Sequence, residues 1–126
     1  MRYIIASGPV IIEKSKVLLN RHGKRESGWK FIGGDIYSRK GTLEDWCIRK
    51  AKEEMGVKVK IIRPLKPMII WRKNATIILI HYLAKRINKV IKPAGNIREW
   101  GWFPIKRLPR NCAPNIKQVI NEYLNN

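Results

Sequence analysis

A chain of 126 residues, 44% hydrophobic and 29% charged, is long enough for one packed core and too short for two. That balance excludes a wholly disordered chain, and two cysteines exclude a disulfide framework or a cysteine-rich zinc site. The charge is the outlier: 27 Lys and Arg stand against 9 Asp and Glu, a formal net charge of +18. A surface this basic points to polyanionic partners (nucleotide, nucleic acid or anionic lipid), or else serves solubility alone. The bases run throughout the chain rather than gathering in a tail, so a disordered nucleic-acid arm is not indicated.

The opening residues, MRYIIASGPVII, lack the cleavage pattern of a signal peptide. No apolar run reaches the roughly 18–20 residues of a membrane span. The expectation is a cytoplasmic protein with no membrane contact, formed as one domain over residues 1–126. Residues 3–12 and 16–21 are β-rich runs around Glu13-Lys14-Ser15 and read as a hairpin. A polar loop follows from Arg21 to Gly28, then a short strand, Trp29 to Ile32, closed by Gly33-Gly34. Residues 43–55 are helical, with Thr42 as N-cap and Gly56 as the stop. Val57 to Ile62 reads as a strand halted by Pro64 and Pro67. Met68 to Trp71 and Thr76 to Leu83 pair around Lys73-Asn74. A last short strand spans Glu99 to Phe103, and a second helix runs from Pro114 to Leu124 with Pro in its first turn. Strands, helix, strands, helix is the order of an α+β sandwich rather than a doubly wound sheet.

The stretch GGDIYSRKGTLEDWCIRKAKEEMGV, residues 33–57, carries the chemistry. On a wheel of about 100° per residue, Glu54 projects from the middle of the apolar stripe formed by Leu43, Cys47, Ala51 and Met55. Glu53 lies on its polar flank, and Arg49, Lys52 and Asp45 fall on the far side. A carboxylate in a core-facing stripe costs several kcal/mol unless a cation or donor meets it. Cys47, on the same stripe, reads as a buried reduced thiol. Trp29, Trp71, Trp100 and Trp102 read as core residues more readily than as a stacking platform. His22 and His81 lack metal-ligand spacing and are given no role.

This segment resembles the Nudix box, in which a Gly-Gly loop precedes a helix carrying Arg-Glu-x-x-Glu-Glu-x-Gly. Arg49, Glu53, Glu54, Gly56 and Val57 fall on that pattern. The flanks are similar too: Gly28 to Gly34 resembles the approach to the box, with Ile32 where Pro is usual. Glu99-Trp100 resembles the family's later strand, and Ala113-Pro114-Asn115 resembles the loop whose Asn touches the base. The resemblance covers nearly the whole chain and implies a MutT-like Nudix fold, a mixed β-sheet sandwiched between α-helices. It also implies Mg2+ or Mn2+ held by Glu53, Glu54 and Glu99 against a pyrophosphate, because hard cations take oxygen ligands and bridge phosphate oxygens. Arg49 would brace the carboxylates. Arg21, Lys24, Gly33, Gly34 and Asn115 would meet substrate.

Three departures bear on activity. The family's Glu after Arg49 is Lys50. Its glutamate before the helix falls at Gly41, or at Lys40 if the one extra residue after Gly34 is placed otherwise. Asp45 and Glu44 face other directions and are no substitutes. Lys50 stands three and four residues before Glu53 and Glu54, the spacing of a salt bridge, and is expected as the resting partner of Glu54 in place of metal. Two readings therefore stand. One is a hydrolase of nucleoside diphosphates linked to another group, with weakened activity and a metal bound only with substrate. The other is a catalytically impaired module that binds nucleotide or RNA without cleaving it. Homodimer formation is compatible with either.

Overall fold

The computed structural model describes residues 2–23 and 28–125. These form, in chain order, β1 (Arg2–Glu13), β2 (Lys16–His22), β3 (Gly34–Asp35), α1 (Leu43–Met55), β4 (Val59–Pro64), β5 (Met68–Trp71), β6 (Ala75–Arg86), β7 (Ile97–Pro104) and α2 (Pro114–Leu124). The sheet runs β4-β6-β1-β2-β7, with β3 beside β1 and β5 beside β6. β1 and β6 are parallel, from Arg2↔Ala75 to Ile11↔Ala84, and the remaining pairs are antiparallel. The mixed sheet of the α+β expectation is therefore what forms.

Consecutive residues of β1 and β2 are buried because side chains alternate between two covered faces. Val10, Val17 and Leu19 join Ile116, Val119 and Ile120 of α2 in one core. Ile11 and Leu18 join Ala51 and Met55 of α1 in the other. The sheet is thus filled from both sides, and its two layers of apolar side chains account for the continuous apolar run VLL in β2.

Both ends of α1 form by local chemistry. The Thr42 hydroxyl accepts the Asp45 N–H and the Asp45 carboxylate accepts the Thr42 N–H, a reciprocal capping box. At the other end Gly56, with φ 64°, gives its N–H to Lys52 and Val57 gives its own to Ala51. Spending the Val57 N–H on the helix terminus is why β4 starts at Val59 and not at Val57.

Trp29 to Ile32 is not a strand of its own. Lys30 bridges to Asn20 of β2, while Trp29 bonds Asn111 and Ala113 on the other side, so the segment changes partners at each residue. The β1–β2 turn places Lys14 and Ser15 at φ 49° and 62°, matching the strands' twist. At the same end of the sheet Arg86 forks onto Glu13, which holds the Glu13 carboxyl below the usual carboxylate range. Two tryptophans depart from expectation: Trp71 is 74% exposed and Trp100 40%. β5 lies at the edge of the sheet, where no described helix reaches the Trp71 side chain.

Candidate functional site

Glu54 ends α1 facing inward. It is 5% exposed, and Cys47, Ala51 and Met55 on the same stripe are fully buried. Two donors and a cation meet it. Asn20 of β2 donates through Nδ2 to Oε1 at 3.1 Å, and the backbone N–H of Gly33 donates to Oε2 at 3.1 Å. Lys50 Nζ lies 3.8 Å from Oε2 and 3.6 Å from Glu53 Oε1. The Lys50 ammonium also faces the rings of Trp46 and Tyr37, at 5.3 and 5.7 Å. It is therefore a packed cation between two carboxylates and two rings, whereas the Glu53 side chain remains 45% exposed.

Gly33 is dictated by backbone geometry. Its φ is 115°, and a Cβ there would fall 2.3 Å from the Ser7 carbonyl oxygen of β1. Only glycine lets this loop press against β1 and turn its N–H toward Glu54. That donor is spent on the carboxylate, so Gly33 acts here as a positioning group for Glu54.

Two residues passed over in the sequence join the cluster. Asn20 is fully buried, and its Oδ1 has no hydrogen-bond partner. His22 places Nε2 at 3.6 Å from Glu54 Oε1, also without a hydrogen-bond partner. Burial, aided by the Lys30 charge, lowers the His22 pKa despite the pull of Glu54, so at neutral pH the contact is not an ion pair. The signal was available: Leu18, Asn20 and His22 share one face of β2, and a polar pair continuing an apolar row calls for a partner across it.

Other expected residues lie elsewhere. Arg49 is turned away from Glu54 by five residues of helix, and its guanidinium stacks over Trp46 at 4.9 Å. Arg21 and Glu99 are opposite one another on β2 and β7 and pair at 3.1 Å. Arg21 also covers Trp29, on the α2 side of the sheet. Asn20, its neighbour, points to α1, so alternation keeps Glu99 and Arg21 on the face opposite Glu54. Lys24 lies outside the described residues. Gly33, Gly34 and Asn115 do come together, lining a cleft of about 140 Å³ with Phe31, Leu79 and His81.

His81 is the unexpected member of that cleft. It is 4% exposed, contacts Phe31 ring to ring at 5.0 Å, and leaves Nδ1 without a hydrogen bond. Burial pushes its pKa down to about 4, so the ring is neutral at physiological pH and offers one donor and one acceptor. A larger depression of about 750 Å³ between residues 105–113 and α2 contains none of the Glu54 cluster. Cys47 is buried and its thiol is pushed up to about 11, which makes it inert at neutral pH.

Among the described residues no three His, Cys, Asp or Glu converge on a common point. Glu53 and Glu54 supply two carboxylates, and the residues flanking Glu54 hold two unsatisfied atoms, Asn20 Oδ1 and His22 Nε2. This donor set fits a single divalent ion that takes its remaining ligands from phosphate oxygens and water. It does not fit a paired-ion cluster assembled by protein alone.

The model of the NUDIX domain matches residues 2–123. Among solved structures, the chain is similar to a MutT NUDIX hydrolase from Burkholderia pseudomallei, with a TM-score of 0.85 and 16% identity over 97% of this chain and 98% of that one. A NUDIX-family hydrolase from Clostridium perfringens aligns with a TM-score of 0.75 and 25% identity over 96% and 95%. An Ap4A hydrolase from C. elegans aligns with a TM-score of 0.81 and 16% identity over 97% and 96%. A search among curated proteins gives no match. A match over nearly every residue, together with a two-helix mixed sheet and a Gly-Gly loop clamped to the second glutamate of the box helix, leaves one assignment: the chain belongs to the Nudix hydrolase family.

Proposed function

We propose that this protein hydrolyses the pyrophosphate bond of a nucleoside diphosphate linked to another group, with a divalent cation that binds together with the substrate. The observation that carries the reading is Glu54, a buried carboxylate held by Asn20 and Gly33 and set beside the more exposed Glu53. Burying a carboxylate at a helix end is costly, and two dedicated donors offset that cost for a group that packing alone would replace by leucine. The similarity to an Ap4A hydrolase supports a dinucleotide or nucleotide-derivative substrate.

Glu54 and Glu53 would hold one Mg2+ or Mn2+, whose charge polarises the phosphoryl oxygens and neutralises the leaving phosphate. Glu53 accepts the proton of the attacking water. The water oxygen bonds to one phosphorus as the bridging P–O bond breaks, and the second phosphate leaves with that bond's electrons. The cleft with Phe31, His81 and Asn115, which the Gly33-Gly34 loop joins to Glu54, receives a ring of the substrate. Glu99, committed to Arg21 on the other face, takes no part.

The test is a phosphate- and nucleotide-release screen over nucleoside diphosphate derivatives and dinucleoside polyphosphates, with Mg2+ or Mn2+, on the purified protein and on Glu54→Gln. Product release by the wild type and its loss in the variant is the expected result. The Lys50 ammonium supports a second reading, a domain that binds nucleotide without cleaving it. Nucleotide binding in the absence of any release from the full substrate set would replace the first reading with that one.

A further inference from the structure

The end of the sheet beyond the N-terminus of α1 carries two cross-strand rows. Tyr3, Thr76 and Trp71 are in register across β1, β6 and β5, and Ile5, Ile78 and Ile69 form the next row. Residues two apart on a strand share a face, so both rows point the same way. Further along β1 on that face, Ser7 touches Cys47 of α1, which shows where the helix cover begins. Outside it, Tyr3 is 68% exposed, Trp71 74%, Ile69 51% and Ile5 45%, whereas Thr76 is buried between them. The opposite face of the same strands, with Ala6 and Leu79, lines the small cleft described above. The rows are therefore separate from the Glu54 cluster and from that cleft.

The strands that carry these rows are strongly basic. Between Glu54 and Glu99, the stretch that makes β4, β5 and β6, the chain contains no Asp or Glu. Arg72 and Lys73 are exposed in the turn that follows Trp71. On the strands forming this end, Asp35 of β3 is the single acid apart from Glu13, which stands at the far end of β1. A second copy of the chain is a poor occupant, since a two-fold contact would bring these cations against themselves with +18 on each subunit.

We propose that this face, with Tyr3 and Trp71 as stacking rings and Arg72 and Lys73 of the adjoining turn as phosphate contacts, is a platform for single-stranded nucleic acid. Rings two strands apart are separated by roughly 10 Å, enough for two splayed bases to stack on them separately. The isoleucine row packs under the sugar and base edges. A duplex hides its base faces and cannot use the rings, so the preference is for single strands. The proposal does not rest on catalysis and stands whether or not the Glu54 site hydrolyses its substrate.

The experiment is fluorescence anisotropy with a labelled oligouridylate of about 12 nucleotides, its DNA counterpart and a duplex of equal length, across a salt series. The wild type is expected to bind the single strands more tightly than the duplex, with affinity falling as salt rises. Tyr3→Ala with Trp71→Ala should weaken single-strand binding by about tenfold or more and leave the duplex unaffected. Tyr3→Phe with Trp71→Phe, which keeps both rings, should retain binding and guards against a folding defect. Equal single-strand affinity in the folded alanine variant, equal affinity of the wild type for duplex, or a homodimer in sedimentation that the alanine variant abolishes would overturn the proposal. Ring-dependent binding to phosphatidylserine vesicles without any oligonucleotide binding would assign the face to a membrane and also overturn it.

Discussion

Lys50 and Glu54 stand one helical turn apart with Nζ 3.8 Å from Oε2, and the same ammonium is 3.6 Å from Glu53. A fixed positive charge is thus built in where the Nudix pattern carries an acid. At an effective dielectric near 20, two unit charges about 4 Å apart interact by about 4 kcal/mol, and a divalent ion roughly doubles the repulsion. Tyr37 and Trp46 hold the lysine in place, which limits how far it can swing aside. Lys50→Glu removes the repulsion and adds an oxygen ligand. It is expected to raise Mn2+ affinity, measured by calorimetry, and to raise pyrophosphohydrolase activity by about tenfold or more. Unchanged metal binding in the variant alongside full activity in the wild type would show that this lysine does not compete with the ion.

Gly33 reaches Glu54 only because its backbone lies where no side chain fits, against Ser7 and Gly8. Gly33→Ala must either strain φ at 115° or push the loop off β1, and both withdraw the N–H from the carboxylate. The expected cost is about 2 kcal/mol or more in stability, read from urea unfolding, with a matching loss of any hydrolysis. An unchanged urea midpoint would mean that the close approach of the loop to β1 is dispensable.

His81 gives a pH dependence of known sign. Its folded pKa, about 4, lies below the ordinary 6.5, so the unfolded chain binds the proton first as pH falls. Its contribution is fully present above pH 6.5 and is lost as pH drops toward 4. Between pH 7 and 5 the wild type is expected to lose roughly 2 kcal/mol through this ring. His81→Leu should remove that part of the slope, and comparing it with the wild type separates His81 from His22. If a ligand hydrogen-bonds the ring, the same variant raises KM more than it lowers kcat. Identical pH slopes for both proteins would refute the burial argument.

The local grammar of the sequence determined much of this molecule. The cap at Thr42, the left-handed Gly56 and the Pro at the start of α2 all form through contacts a few residues apart, and they appear where the sequence put them. The burial of Glu54 was also legible, because a helix repeats every 3.6 residues and one charge stood in its apolar stripe. What meets that charge was not legible, apart from Lys50 one turn away. Asn20, His22 and Gly33 are 34, 32 and 21 positions distant in the chain, and only the packing of β2 and the glycine loop against α1 brings them to it. Likewise Glu99 and Arg21 looked like site residues until pairing of β2 with β7 fixed which face each one occupies. The strand period of two makes that choice absolute: one step in register exchanges a place beside Glu54 for a place on the other side of the sheet, and register is set by strands far apart in sequence.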